Sequence, residues 1–128
     1  MELTVVLILL ALLQYCFFVG YVGYARGKYG VNAPHTTGNE VWERIFRVQQ
    51  NTLEQLIVFV PAMVIFGMYV SDVWVAIPGI AFILGRQIYF HTYINDPKTR
   101  GPGATLSIFS NIGLVVASLI ALLISFIG

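Results

Sequence analysis

The chain has 128 residues, of which 58% are apolar and only 10% charged, and its formal net charge is +1. Soluble domains carry about 25% charged residues, so this composition, with a mean hydropathy of +0.81, excludes an ordinary soluble domain and gives no basic surface for nucleic acid. Its one cysteine, Cys16, excludes a disulfide within the chain.

Four apolar tracts, Leu3–Tyr24, Leu53–Val70, Val73–Phe90 and Ala104–Ile127, each approach the ~20 residues that cross a hydrocarbon core. They predict an all-α, integral membrane four-helix bundle with helices at about 3–26, 40–69, 73–95 and 104–126, filling one domain over residues 1–128. Residues 1–10 hold Glu2 and no Lys or Arg, and the apolar run is too long for a signal-peptide core, so the reading is a retained first helix. Gly20 and Gly23 offer small-residue positions for close helix approach, and Gly27 and Gly30 are expected to end the helix.

The first connection carries Pro34, Thr36, Thr37 and Gly38, all turn formers. Asn39 is a good N-cap for the second helix, with Glu40 and Glu43 complementing its dipole. That helix, at ~45 Å, exceeds the membrane and must protrude or tilt, and Pro61 is expected to bend it. A short turn at Ser71-Asp72 leads to the third helix. Asp96–Gly103 reads as a tight polar connection, and the fourth helix carries only Ser, Thr and Asn111 as polar groups.

The basic residues, seven in all, are Arg26, Lys28, Arg44, Arg47, Arg86, Lys98 and Arg100. All lie in, or at the helix ends facing, the first and third connections. The positive-inside rule then puts those connections in the cytoplasm and both termini on the non-cytoplasmic side.

Glu43, Arg47, Asn51 and Glu54 are spaced four, four and three residues apart and share one helix face. An ionisable group at bilayer depth costs at least ~2.5–3.5 kcal/mol, so such a face should point into a bundle or a wet cavity. Two readings stand. One is a cavity for a zwitterionic ligand, with the Arg47 fork on a carboxylate, Glu54 on an amine and Asn51 on an amide. The other is an internal Glu–Arg network, with Glu54–Arg47 as its key pair. Arg86, Tyr89 and Tyr93 share a face of the third helix; tyrosines there can be interfacial anchors, but Arg86 lies deep enough to need a partner or an anion. His35 and His91 have no metal-ligand spacing, so no metal is expected, and neither a Gly-rich phosphate loop nor a catalytic triad is present.

Glu43-Arg44-Ile-Phe46-Arg47-Val-Gln49-Gln-Asn51-Thr-Leu-Glu54 resembles the E-R-x-[YF]-R-x-Q-x-N-x-x-E signature of the MAPEG family, the membrane-associated proteins in eicosanoid and glutathione metabolism. Ala25-Arg26, Pro34 with Thr36-Thr37-Gly38, Arg86 with Tyr89-Phe90 and Tyr93, and Arg100 seven residues after Tyr93 fall where that family has its further elements.

The resemblance implies a homotrimer in a bacterial inner membrane or endoplasmic reticulum membrane, binding glutathione between subunits at the cytoplasmic end. Arg47, Asn51 and Glu54 would hold glutathione, Arg86, Tyr89 and Tyr93 would assist, Arg26 would lie near its carboxylates, and Arg100 would be catalytic at the sulfur. A guanidinium there favours the reactive thiolate of a thiol whose free pKa is ~8.5.

Gly27 stands where the leukotriene-forming branch has an arginine, Gln55 where it has a tyrosine, and Thr52 replaces a frequent cysteine. A microsomal-type glutathione transferase or peroxidase, acting on an apolar electrophile or lipid-derived hydroperoxide, therefore fits better than leukotriene synthesis. The competing readings are a non-catalytic trimeric membrane scaffold or lipid-binding protein and a small multidrug exporter. Against the exporter, Gln14 is the nearest polar group to the buried acid that such a protein needs in its first helix.

Overall fold

The computed structural model describes residues 1–128 as four helices in chain order: α1 (Glu2–Tyr29), α2 (Glu40–Tyr69), α3 (Ala76–Asn95) and α4 (Gly101–Ile127), with a single 3-10 turn at Pro97–Thr99. There is no strand. Helices α1, α2 and the segment containing α4 are long and apolar enough to cross a membrane. Helix α3, with 20 residues, reaches ~30 Å but carries Arg86, Gln87, His91 and Asn95, and is less apolar than the spanning stretches of the other three. Leu13, Ile57 and Phe109 are 66%, 68% and 66% exposed. In a membrane these side chains meet hydrocarbon, which removes the penalty that such surface carries in water.

The helix ends follow local chemistry. Gly30, at φ 71°, caps α1 in the left-handed region that glycine enters without a Cβ clash. Its N–H and that of Val31 both donate to Arg26 O. Helix α1 therefore runs through Gly27 and ends three residues later than expected. Asn39 caps α2, its side chain accepting from Trp42 N at 2.9 Å.

Helix α3 begins at Ala76, not Val73, because Ser71 Oγ accepts from the N–H groups of Val73 (3.1 Å) and Trp74 (3.0 Å) and holds a turn there. The stretch Asp96–Gly103 is not an open loop. Asp96 caps the 3-10 turn by accepting from Lys98 N, and α4 has already started at Gly101. Pro102 in the first turn of α4 has no N–H to lose, so the Gly-Pro-Gly run is compatible with a helix start.

One apolar core, built on Leu7, Phe59, Met63, Phe82 and Leu114, fills the half of the bundle remote from the basic connections. Phe59 and Phe82 stack there at 3.9 Å. Two smaller cores, one on Phe18, Val48, Phe90 and Tyr93 and one on Val22, Val31, Trp42 and Ile45, support the basic end.

Close backbone approach is not where Gly20 and Gly23 led us to expect it: no atom of the chain lies within 4 Å of a Cβ built on either. It occurs between α3 and α4. A Cβ on Gly103 would lie 2.5 Å from Tyr89 N, and one on Gly85 would lie 2.9 Å from Ser107 N.

At the remote end, Asp72 Oδ1 accepts from Thr4 Oγ1 at 2.6 Å and Thr4 N at 3.1 Å. The Met1 amine lies 3.0 Å from the other carboxylate oxygen. The Thr4 hydroxyl above all, then that amine, pulls the Asp72 carboxyl down to about 2.

Candidate functional site

The predicted site residues gather at the basic end, though not all in one place. Arg47 on α2, Tyr93 on α3 and Arg100 at the start of α4 line one polar cavity of about 370 Å³, together with Glu40, Glu43, Arg44 and Pro97. Helix geometry explains the convergence. Glu40, Glu43, Arg44 and Arg47 occupy positions i, i+3, i+4 and i+7 and so share one face of α2. The 3-10 turn after α3 carries the chain back so that Arg100 faces them across Tyr93. Three guanidinium groups against two carboxylates leave the cavity positive.

Arg47 and Arg100 are exposed, and neither forms a hydrogen bond nor an ion pair within the chain. Glu43 instead accepts from Gly38 N at 3.3 Å and so steadies the first connection. Glu54 is exposed on α2, unpaired and outside the cavity. The internal pairing of Glu54 with Arg47 is therefore not what the protein forms: seven residues separate them, ~10 Å along the helix.

A second group lies behind the cavity. Tyr93 stacks on Tyr89 with centroids 5.1 Å apart, and the Arg86 guanidinium carbon lies 4.7 Å from the Tyr89 ring centroid. Arg86 is fully buried. Its Nε donates to Ser107 Oγ at 2.9 Å, and its Nη1 donates to Asn51 Oδ1 and, at 3.4 Å, to Thr52 Oγ1. It is held by neutral dipoles and an aromatic face, with no carboxylate beside it. Arg86, Asn51, Tyr89 and Tyr93 thus form a continuous wall from the middle of the bundle to the cavity.

Arg26 lies apart. Its guanidinium sits 4.5 Å from the Trp42 ring centroid, and Nη1 donates to His35 O at 2.7 Å, tying α1 to the first connection.

Three contributors escaped sequence reasoning. Arg44 lines the cavity while its Nε donates to Ile94 O at 3.0 Å, clamping α2 to α3. Its position three residues before Arg47 was the available signal. Gln49 is buried and donates to Tyr15 OH at 2.7 Å. Its place among the buried Ile45, Thr52 and Leu56 marks it as inward-facing. Asn111 on α4 donates to Gln55 on α2, through both its backbone carbonyl and Oε1. Being the only amide in an otherwise apolar helix was its signal.

Known proteins resemble this chain over most of its length. The model of the MAPEG family matches residues 3–120. An uncharacterized protein of Synechocystis is 44% identical over 114 residues, covering 89% of this chain and 83% of its own length. Microsomal glutathione S-transferase 2 of Homo sapiens is 37% identical over 100 residues, 78% of this chain and 68% of that protein. Leukotriene C4 synthase of Bos taurus is 30% identical over 92 residues, 72% of this chain and 61% of that protein.

Proposed function

Because the chain belongs to the MAPEG family, we propose that this integral membrane protein is a glutathione transferase, using glutathione as a thiolate against apolar electrophiles or lipid hydroperoxides. The observation that carries the reading is the convergence of Arg47, Tyr93 and Arg100 on one positive cavity with both guanidinium groups uncommitted. Glutathione offers two carboxylates, an amine, two amides and a thiol. Free arginines fit the carboxylates and an anionic sulfur, and the free Glu54 fits the amine. Arg86, bonded through Nε to Ser107 and through Nη1 to Asn51, acts by holding Asn51 and the tyrosine wall in place. Arg26 supports the neighbouring connection and adds positive charge beside it.

Arg100 is assigned to the sulfur. An exposed, unpaired guanidinium at a helix start joins its own charge to the positive end of the helix dipole, and both lower a thiol pKa. The thiolate is the nucleophile that glutathione supplies.

The seven-to-zero distribution of basic residues supports a cytoplasmic cavity and non-cytoplasmic termini. Exposed Glu54 in the middle of a spanning helix supports coverage by further copies rather than by lipid, in line with a homotrimer.

The test is an ultraviolet difference spectrum of the detergent-purified protein titrated with glutathione, beside Arg100→Ala. A saturable thiolate band, lost in the variant, is expected. Binding without the band removes Arg100 from the sulfur. No binding overturns the enzyme reading in favour of the scaffold.

A further inference from the structure

Helix α3 ends with carbonyls that need donors from outside it. Thr92 O accepts from Asp96 N, but Pro97 brings no N–H to Tyr93 O, and Lys98 gives its N–H to Asp96 Oδ1 rather than to Ile94 O. The donor that Ile94 O does receive comes from another helix: Arg44 Nε of α2, at 3.0 Å. A cation at this end also suits the negative pole of the helix dipole. The Ile94 side chain packs against both smaller cores, so Ile94 is held through its backbone and its side chain alike.

The residues flanking this bond are those of the cavity. Tyr93 directly precedes Ile94. The 3-10 turn that follows is folded back on α3 by Thr99, whose single O–H is shared between Thr92 O at 2.9 Å and Asp96 O at 2.7 Å, and Arg100 comes next in the chain. On α2, Arg47 stands one turn beyond Arg44, ~4.5 Å along the axis. Arg44 to Ile94 O is the one hydrogen bond from α2 to residues 93–100. Arg44 thus ties the helix that carries Arg47 to the segment that carries Tyr93 and Arg100.

We infer that Arg44 is a positioning residue for the glutathione reaction, whose bond to Ile94 O sets the distance of Tyr93 and Arg100 from Arg47 across the cavity. On the transferase reading, on which this role rests, that distance decides reactivity. A guanidinium favours a thiolate by a hydrogen bond that is lost beyond about 3.2 Å and by a Coulomb attraction that weakens with separation. Arg44 acts on both through the backbone of α3. It also adds its own charge to the cavity, beside Glu40 and Glu43, so position has to be separated from charge.

The experiment compares the full chain in detergent with Arg44→Gln, Arg44→Lys and Thr99→Val. Thr99→Val loosens the same turn from its other side without changing charge, and Thr99 does not line the cavity. Two quantities are read: the rate of tryptic cleavage at Arg100–Gly101 without glutathione, with the fragment identified by mass, and the pH midpoint of the glutathione thiolate band. Arg44→Gln is expected to be cut about fivefold faster, the worth of one hydrogen bond, with a midpoint raised by about half a pH unit. Thr99→Val should move both in the same direction, and Arg44→Lys should restore only part of either. Unchanged cleavage in Arg44→Gln and Thr99→Val overturns the inference. Faster cleavage with an unmoved midpoint makes Arg44 a structural clamp alone and also overturns it. So does a midpoint restored in full by Arg44→Lys and unmoved by Thr99→Val, which makes charge rather than position responsible. Should Arg44→Gln fail to fold, Thr99→Val still decides between the two. A wild type without the band sinks the transferase reading and this role with it; the other failures all leave that band in place.

Discussion

Arg86 on α3 donates Nη1–H to Asn51 Oδ1 on α2, so residues from two separate sequence elements form one unit across the bundle. With Ser107 Oγ on α4 taking Nε–H, a single guanidinium bridges three helices. Asn51 thus has a structural bond in place at the site, and Arg86 sets its direction.

Arg86→Ala should cost about 3 kcal/mol, since it opens a cavity and strands the part-buried acceptor of Asn51. Arg86→Met should cost about 1 kcal/mol, because it fills the volume and removes the desolvated charge along with the bonds. Unfolding in mixed micelles measures both. Equal losses for the two variants would show that the lost charge and hydrogen bonds, rather than the volume, set the cost.

Gly103 and Gly113 lie on the same helix and make a matched pair. A Cβ on Gly103 meets the backbone of Tyr89 and Gly85, which cannot swing aside, whereas nothing lies within 4 Å of one on Gly113. Gly103→Ala should therefore destabilise by about 3 kcal/mol as α3 and α4 are forced apart. It should also loosen the Arg86–Ser107 bond beside it. Gly113→Ala should change stability by no more than about 0.5 kcal/mol. Thermal unfolding of the two variants in parallel provides the check.

Asp72 gives the pH dependence at the opposite end. Its carboxyl is depressed from 3.8 to about 2, with the Thr4 hydroxyl as the largest cause. A depressed folded-state pKa stabilises the fold above the unfolded value, and this contribution is lost as pH falls through the folded value. Asp72→Asn should therefore unfold at lower temperature than the wild type at neutral pH. The two curves should converge between pH 3.8 and about 2. A gap that persists at the acid end would show that shape, not charge, holds α1 to the α2–α3 turn.

The order of four helices, the Asn39 cap and the polar face of α2 were legible because each is written in neighbouring residues. Apolar run length, a cap three residues before the N–H it accepts from, and three- or four-residue spacing are all local signals. The start of α4 was not, since Gly101-Pro102-Gly103 is turn chemistry that a first helical turn also accepts. Nor was the choice between a ligand face and an internal ion-pair network. That depends on which side chain of α3 or α4 comes to rest against which turn of α2, and periodicity within one helix carries no register between helices. Arg86 shows the consequence. Its depth announced a need for partners, but Ser107 and Thr52 have nothing in their local sequence to mark them. The Gln55–Asn111 pair, 56 residues apart, was hidden for the same reason.

Arg100 supplies the sharpest test of the site. It is exposed at the start of α4, makes no side-chain bond within the chain and lines the cavity with Arg47 and Tyr93. Arg100→Ala should therefore change stability by no more than about 0.5 kcal/mol. The proposed role predicts a much larger effect on rate. Without the guanidinium, the bound thiol should return toward ~8.5, leaving only a few per cent thiolate at neutral pH. Conjugation at pH 7 should then fall at least about tenfold. The pH–rate profile should keep rising to pH ~9, where the wild type has already levelled off. Arg100→Lys should recover part of the rate, since a point charge retains the Coulomb attraction while losing the planar fork. Stopped-flow conjugation rates across pH for the three proteins decide it. A profile unmoved by Arg100→Ala would leave Arg47, the other free guanidinium of the cavity, as the group beside the sulfur.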